Sequence, residues 1–523
     1  MQPLNVDSLP GFEDWLQTKR PLGLSATPTQ LAVGDASGKS WRLTLATTVV
    51  LAETLNLLAA SGRKVWSEDG ARAAVRLSRL TSRDVETLDW LLCATTARNV
   101  IQPGFWLELK DRGAAANAVA TARRMVELST GTAPETITAV FASCKQDQLW
   151  RPRQAMGWRV DAELLRNELQ AAEAARSAAL AELGFDATDT NSEQGKAKIH
   201  DWLAEANIFV VDFRGRPTLD RESYDDTIIP GNDAARDRWA TFRRVRSVAS
   251  RIGKLKEIRR ALKGDRVFST VRVRYARTGR GSIIRPALQN INRDLRPLLL
   301  AEPGETLVAL DLSQAEPRTA AALSGDEHLI AALAAGDVYA AMAERLWGGA
   351  ALDAAGTVLP AMRDRAKTLF IAILYGKRAP RTARELGVSE AEAQELIDSL
   401  WASYPTLAAY GRRIIAEMAA GNAELTSGGR PIPPPRRGNY AIVNNRVQAE
   451  AADIFYGGVE RVAAAIGTKA LFLPIHDELV LSVPPGQVQF VKEVLEREMN
   501  SVFRRIPIGG TAVELGLAWR KAG

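Results

Sequence analysis

Only two cysteines, Cys93 and Cys144, and three histidines, His200, His328 and His476, occur in 523 residues. That scarcity argues against a disulfide framework and against a Cys/His zinc site. Any catalytic metal is expected on carboxylates, whose hard oxygens favour Mg²⁺ or Mn²⁺. No run comes near the ~18–20 consecutive apolar residues that a membrane span needs. The opening stretch MQPLNVDSLPGFEDW lacks the basic-then-apolar pattern of a signal peptide. A cytoplasmic protein without membrane contact is the expectation. Internal repeats and low-complexity tails are missing as well, and the short proline cluster Pro431–Pro435 predicts a loop.

What the chain does have is positive charge. Lys and Arg number 68 against 61 Asp and Glu, a net charge of +7 and a pI of about 9.4. Such a balance suits a polyanionic partner without proving one. Ten cations fall between Arg238 and Lys263, with one acid, Glu257. The run is either a solvated helix face or a helix pair tracking a phosphate backbone, with Arg251 and Lys254 as candidate phosphate contacts. The length predicts three or four domains.

Residues 1–150 read as a compact α/β unit. Leu31–Leu45 predicts a hairpin turning at Asp35–Lys39, and Thr48–Ala60 and Ala71–Leu80 are helix-like. A long Ala-, Leu- and Glu-rich helix is expected over 160–185, then a polar loop at Asp186–Ser192. Residues 236–263 read as helical and basic. Val267–Tyr275 alternates like a strand and runs into the turn-rich TGRGS. Thr306–Ser313 is an apolar strand ending on a carboxylate, and the chain from Glu316 to about Met418 is mostly helical. Ala470–Val483 reads as two strands meeting at His476, Asp477 and Glu478, followed by a closing helix, Gln487–Val502.

Asp311 at one strand end and Asp477 beside a second suit a shared site. Two β elements paired in one sheet could bring them to one point, where two carboxylates would serve a pair of Mg²⁺ ions about 3.5–4 Å apart. Arg363, Lys367, Ile371 and Tyr375 are spaced by four and fall along one helix stripe. Two cations, an apolar residue and an aromatic fit a nucleoside triphosphate laid along the helix; a surface edge merging into a buried face is the competing account.

In conjunction and in order, these segments resemble the DNA polymerase I family (family A). DLSQAEPR (Asp311–Arg318), RDRAKTLFIAILYG (Arg363–Gly376) and IHDE (Ile475–Glu478) are similar to its three motifs. TGRGSIIRPALQNIN (Thr278–Asn292), SGDEHLIAALAAGDVY (Ser324–Tyr339) and NNRVQAEAADI (Asn444–Ile454) resemble its flanking segments. The resemblance spans about 235–523. It implies an α/β multidomain fold: a right-hand polymerase of palm, fingers and thumb, with an N-terminal ribonuclease-H-like domain of 3′-5′ exonuclease type. The implied divisions are 1–150 exonuclease-like, 151–270 connecting helix and thumb, 271–335 first part of the palm, 336–424 fingers, and 425–523 second part of the palm.

The resemblance also implies roles. Asp311, Asp477 and the backbone carbonyl of Leu312 would hold two Mg²⁺, with Mn²⁺ accepted, and Glu478 would support the metals or the primer end. Arg363 and Lys367 would bind the triphosphate, Lys367 also donating a proton to pyrophosphate. Ile371, Tyr339 and Gln314 fall among the nucleotide contacts, and Tyr375 and Gly376 beside the templating base. Glu316 would exclude ribonucleotides by crowding the sugar 2′ position. Arg280, Gln289, Asn290, Asn444 and Gln448 would touch the duplex, whose minor-groove acceptors are nearly alike for every correct pair, and His476 the primer backbone. Primer–template DNA and dNTPs are the implied partners of a monomer.

The chain departs from the family pattern at Leu312, Ile371, Tyr339 and Tyr440, which puts sugar selectivity and fidelity in question. The N-terminal third resembles the proofreading domain more faintly, on Gly62–Val100. An active proofreading site needs D-x-E on its first strand. The strand LAVGDASGKSW has none, Asp35 falls at its turn, and Glu68, Asp69, Asp84 and Asp89 show no ligand spacing. The fold without the activity is expected, and a 5′-nuclease domain has no room. Two alternatives stand beside this reading. A phage-type single-subunit RNA polymerase is disfavoured by Glu316, and a catalytically inactive primer–template-binding protein by Asp311, Lys367 and Asp477.

Overall fold

A computed structural model describes residues 134–520, apart from 184–191, 213, 221–222, 225–226, 228, 375, 377, 423 and 433–440, together with six short strands before them. The helices expected at Thr48–Ala60 and Ala71–Leu80, nearly all of the loop at 186–192, and Tyr375 and Tyr440 lie outside the described residues, as do Glu68, Asp69, Asp84 and Asp89. Two compact units divide the chain: 1–159 with 266–335 and 405–523, and 160–265 with 336–404.

The first unit begins with β1 (Leu4–Asn5), β2 (Leu22–Ala26), β3 (Gln30–Asp35), β4 (Ser40–Thr44), β5 (Val65–Ser67) and β6 (Leu91–Cys93), in the order β1-β4-β3-β2-β5-β6. β2, β3 and β4 form an antiparallel meander, and β5 and β6 run parallel to β2. The expected hairpin is present, with Gly34 opposite Ser40. Helices α1 (Pro134–Gln148) and α2 (Arg151–Met156) follow.

Val267–Tyr275 is not one strand. Only β7 (Thr270–Arg272) pairs with β8 (Ser282–Ile284), and Arg274, at φ +60°, turns the chain away. The central sheet joins β9 (Thr306–Asp311), β10 (Leu471–Ile475) and β11 (Glu478–Val483) to a strand near the C-terminus. The closing helix is shorter than expected: α14 (Val488–Met499) is followed by β12 (Ser501–Phe503), β13 (Ile506–Ile508) and β14 (Ala512–Gly516). β14 completes an antiparallel sheet in the order β10-β11-β9-β14.

β10 and β11 are buried throughout, and β9 at every residue but Asp311. Runs such as TLVAL and ELVLSV are therefore continuously buried and mostly apolar rather than alternating, the pattern of strands covered on both faces. The outer carbonyls of edge strand β10 accept from two buried side chains. Arg153 Nε donates to Leu471 at 2.9 Å, and Trp158 Nε1 to Phe472 at 2.7 Å, which closes an edge that would otherwise template pairing. The unit's further helices are α6 (Ala315–Ser324), α7 (Glu327–Ala334), α12 (Pro405–Ala419) and α13 (Ile442–Ile466), the last packed on α14.

The second unit contains α3 (Ala162–Ala181), α4 (Glu193–Ala204), α5 (Asp233–Ala261), α8 (Val338–Trp347), α9 (Pro360–Leu374), α10 (Ala379–Leu386) and α11 (Glu390–Ser403). The basic run is one continuous 29-residue helix, α5, rather than a helix pair of its own. Asn232 starts it by accepting from the Ala235 amide at 2.8 Å. Phe242, Val245, Ile252, Leu255 and Ile258 make its buried stripe. Beside that stripe its cations reach acids on α3 and at its C-terminal cap: Arg244 to Glu182, Arg251 to Glu168 at 2.6 Å, and Lys256 to Glu173 at 3.0 Å. Among the described residues no helix is long and apolar enough to cross a membrane.

Candidate active site

Asp311 is the last residue of β9 and Glu478 the first of β11, and the two stand directly opposite in register. His476, at φ +55°, and Asp477 form the turn between β10 and β11. One further main-chain bond continues the ladder past the strand ends: the Leu312 amide donates to the Asp477 carbonyl at 3.0 Å. Asp311, Asp477 and Glu478 are therefore gathered at one end of one sheet by backbone pairing. A one-residue slip would turn Asp311 to the opposite face.

Close packing behind the strand end preserves this. The Ser313 amide donates to Gly509 at 2.8 Å, and a Cβ at Gly510 would collide with the Asp311 carbonyl. Only glycine fits there.

The charges around the acids are unequal. Glu478 is 9% exposed. Burial, reinforced by Asp311, holds its carboxyl above the usual pKa, while Arg296 opposes the shift. Arg296 Nη1 donates to Glu478 Oε2 at 3.2 Å, and its guanidinium lies 4.1 Å from the Trp519 ring centre. Arg280 Nη2 donates to Glu316 Oε1 at 2.9 Å and stands 3.5 Å from Asp477 Oδ2. Gln448 Nε2 donates to the same Glu316 oxygen at 3.1 Å. Glu316, one residue into α6, is thus fixed by two donors, behind Gln314 in a left-handed conformation at φ +52°. The His476 imidazole is held below its ordinary pKa by partial desolvation and then by Arg280, against the pull of Asp477.

Among the described residues no three His, Cys, Asp or Glu side chains close into a metal cage. The donors at this sheet end are carboxylate oxygens, few in number. That fits Mg²⁺, which binds through one or two carboxylates and completes its shell with water and phosphate.

In the second unit, α9 carries the cation stripe. Arg363 Nε donates to Asp337 Oδ2 at 2.6 Å, a contact that raises its pKa. Asp337 also caps α8, accepting from the Tyr339 amide at 2.9 Å. The guanidinium of Arg363 and the ammonium of Lys367 lie 5.5 and 5.8 Å from the Tyr339 ring centre, and that buried ring meets Phe370 edge-on. Lys367 is exposed and Ile371 half-buried on the same helix. Gly376 lies just beyond the helix end at φ +66°.

The remaining candidates differ in how available they are. Asn444 is 3% exposed, and its Oδ1 has no hydrogen-bond partner among the described residues. Asn290 is exposed. Gln289 pins its own hairpin, accepting from the Ile283 amide at 2.8 Å and donating to Ser282 Oγ at 2.6 Å. Arg251 is engaged with Glu168, and Lys254 is half-buried. Sequence reasoning missed Arg296, Asp337 and Gly510. Asp337 had a legible signal, an Asp after Gly at a helix start; Arg296 and Gly510 had none.

Comparison with known proteins identifies the family and the fold. The chain matches DNA polymerase family A over residues 232–521. It is 31% identical over 280 residues to DNA polymerase I of Chloroflexus aurantiacus, covering 47% of this chain and 28% of that protein. It is 32% identical over 267 residues to the thermostable DNA polymerase I of Thermus aquaticus, covering 47% and 31%. The chain thus spans less than a third of the length of these relatives. Its fold is similar to that of the POL domain of Pol1 from M. smegmatis, solved in complex with DNA primer–template and dNTP. That match has a TM-score of 0.77 at 19% identity and covers 99% of both chains.

Proposed function

The chain belongs to DNA polymerase family A, and from that premise we propose that it extends a primer 3′ end with deoxynucleotides copied from a template strand. The observation that carries this reading is the backbone bond from Leu312 to Asp477, which gathers Asp311, Asp477 and Glu478 at one sheet end. Asp311 and Asp477, with the Leu312 carbonyl, would hold two divalent ions, Mg²⁺ or Mn²⁺. Such ions, when bound, activate the 3′-hydroxyl and offset the charge of the leaving pyrophosphate.

The protein's own groups do the rest. Arg296 offsets part of the upward push that burial gives the Glu478 carboxyl and donates to it at 3.2 Å, which holds the acid where it would steady the metals or the primer end. Lys367 and Arg363 balance the triphosphate, and Lys367, exposed on α9, can pass a proton to pyrophosphate. Arg363 remains anchored by Asp337, which fixes the reach of its guanidinium. Ile371, Tyr339, Tyr375 and Gly376 would flank the nucleotide and the templating base. Glu316, held by Arg280 and Gln448, crowds the sugar 2′ position. Asn444, Gln448, Arg280, Asn290 and His476 contact the duplex end, and the buried Asn444 Oδ1, without a hydrogen-bond partner among the described residues, could accept from a donor there.

In this reading 271–335 and 425–523 are the palm, 336–424 the fingers and 151–270 the thumb. Residues 1–150 are a ribonuclease-H-like domain without proofreading activity. The strand order β4-β3-β2-β5-β6, a meander with two parallel strands beyond β2, supports that fold. Neither β2 (LGLSA) nor β3 (QLAVGD) carries D-x-E, which supports the loss of activity.

A labelled primer–template with Mg²⁺ and either dNTPs or rNTPs tests the proposal. Extension with dNTPs only, and no shortening of the primer, is expected. Extension with rNTPs would favour an RNA polymerase, and binding without extension an inactive clamp.

A further inference from the structure

Arg280 reaches Glu316 and Asp477 from a glycine-flanked turn, Thr278–Gly281, and that turn rests on a second arginine. A Cβ built on Gly279, at φ +80°, would lie 2.5 Å from Cζ, Nη1 and Nη2 of Arg430 alike. Equal distance to all three atoms means that the guanidinium lies face-on against the turn. Arg430 is 2% exposed and cannot swing away. Its Nε donates to Asp453 Oδ1 at 3.0 Å, and its Nη2 to the Ala449 carbonyl at 2.7 Å.

A second buried arginine secures the same acid. Arg274 Nη1 lies 2.7 Å from Asp453 Oδ1, Nη2 donates to Gln146 at 3.0 Å, and the guanidinium covers the Tyr456 ring at 4.8 Å. The Tyr456 hydroxyl in turn fills the space where Gly281 would carry a Cβ. Burial would raise the Asp453 carboxyl pKa, but Arg274 and Arg430 prevail and hold it low. The turn is therefore seated on two buried side chains, Arg430 below Gly279 and Tyr456 below Gly281. Within the turn, the Gly279 amide donates to Ala276 at 2.8 Å and the Ala276 amide to Arg280 at 2.9 Å.

We propose that Arg430 is a positioning residue for Arg280: its flat guanidinium is the platform that sets where the Thr278–Gly281 turn places Arg280 against Glu316 and Asp477. The role rests on the polymerase reading, since Arg280 matters there only if it serves nucleotide addition. Flatness is the property that counts. A lysine supplies the charge for Asp453 but offers a compact ammonium on a flexible stem, which cannot lie beneath a backbone as a plane.

The test is a double-mutant cycle with an independent structural readout. Single-nucleotide extension is measured for Arg280→Ala, Arg430→Lys and the pair, and hydrogen exchange is followed at the amides of 277–281. Melting curves confirm that each variant folds. Gly279→Ala, which must lift the turn off the guanidinium without removing buried charge, stands in should Arg430→Lys fail to fold. Each single substitution should lower kcat/KM about tenfold or more, the scale of one charge-assisted hydrogen bond. The double variant should be no worse than Arg280→Ala alone, and exchange in the turn should quicken with Arg430→Lys or Gly279→Ala. Losses that multiply in the double variant would overturn the proposal, because a purely structural defect does not depend on Arg280. If the wild type extends no primer, the polymerase reading falls, and exchange alone then decides whether Arg430 holds the turn; unchanged exchange would sink it.

Discussion

Replacing Arg296 with alanine removes the cation facing Glu478 at 3.2 Å and the stack on Trp519. Both side chains of the pair are mostly buried, 13% and 12% exposed, so water replaces little of what is lost. Breaking one partner of a buried pair costs about 3–5 kcal/mol, and the residual exposure places this pair near 3. Loss of the stack adds about 1 kcal/mol. The Glu478 carboxyl then stands beside Asp311 without a counter-charge. A divalent ion on Asp311 and Asp477 supplies that missing charge, so the variant should bind metal more tightly than the wild type. A tenfold tighter ion returns about 1.4 kcal/mol of stability at saturation. Urea unfolding with EDTA and with saturating Mg²⁺ measures both quantities. We expect Arg296→Ala to lose about 4 kcal/mol with EDTA and about 1.4 kcal/mol less with Mg²⁺ if its ion binds tenfold tighter. Equal losses in the two conditions would refute the idea that these acids share a metal-binding point.

Other substitutions probe separate parts of the molecule. Asp477→Asn should abolish extension while leaving primer–template affinity nearly unchanged in an anisotropy titration; weakened binding with residual activity would contradict the role given to it. Neutralising Lys254 with the exposed Arg259 and Arg260 should flatten the salt dependence of DNA binding by about 0.9 per lost phosphate contact, and an unchanged slope would mean that α5 is merely solvated there. Arg251→Ala, by contrast, breaks the bridge to Glu168 and should also cost about 0.5–1 kcal/mol of stability, visible in the melting curve. The phenols of Tyr410 and Tyr456 are pushed up to about 12, chiefly by burial. Their folded-state pKa exceeds the unfolded value of about 10, so their contribution is intact below pH 10 and is lost as pH rises through about 12. Tyrosine ionisation followed by absorbance should track loss of circular dichroism over that window; ionisation near pH 10 in the folded protein would contradict it.

The parts of the site that were legible in the sequence are those written in local pattern. TLVALD declares a buried strand ending on an acid, and LFLPIHDELVLSV declares two strands with a polar turn, so their meeting follows from ordinary hairpin geometry. The hairpin of β3 and β4 was readable in the same way from its turn residues. Distant partners were not. Nothing in VELGL announces that β14 lies beside β9, because its neighbour in the sheet is some two hundred residues earlier. The basic run looked like a surface for phosphate, yet Arg244, Arg251 and Lys256 are matched to acids of α3 and its C-terminal cap, a pairing visible only once both helices are placed. Arg296 and Arg430 belong to the same class: buried arginines whose meaning depends on acids and backbone far away in the chain.

Because the Leu312 amide is bonded to the Asp477 carbonyl, the separation of the two backbone segments that carry the proposed metal acids is set by main-chain pairing. Mutating neighbouring side chains will therefore seldom disturb it gradually. The pair is intact while β9 and β11 remain zipped and vanishes when they part. Inactivation by denaturant should then coincide with melting of that sheet, which would let enzyme turnover serve as a direct gauge of whether the centre of the protein is still folded.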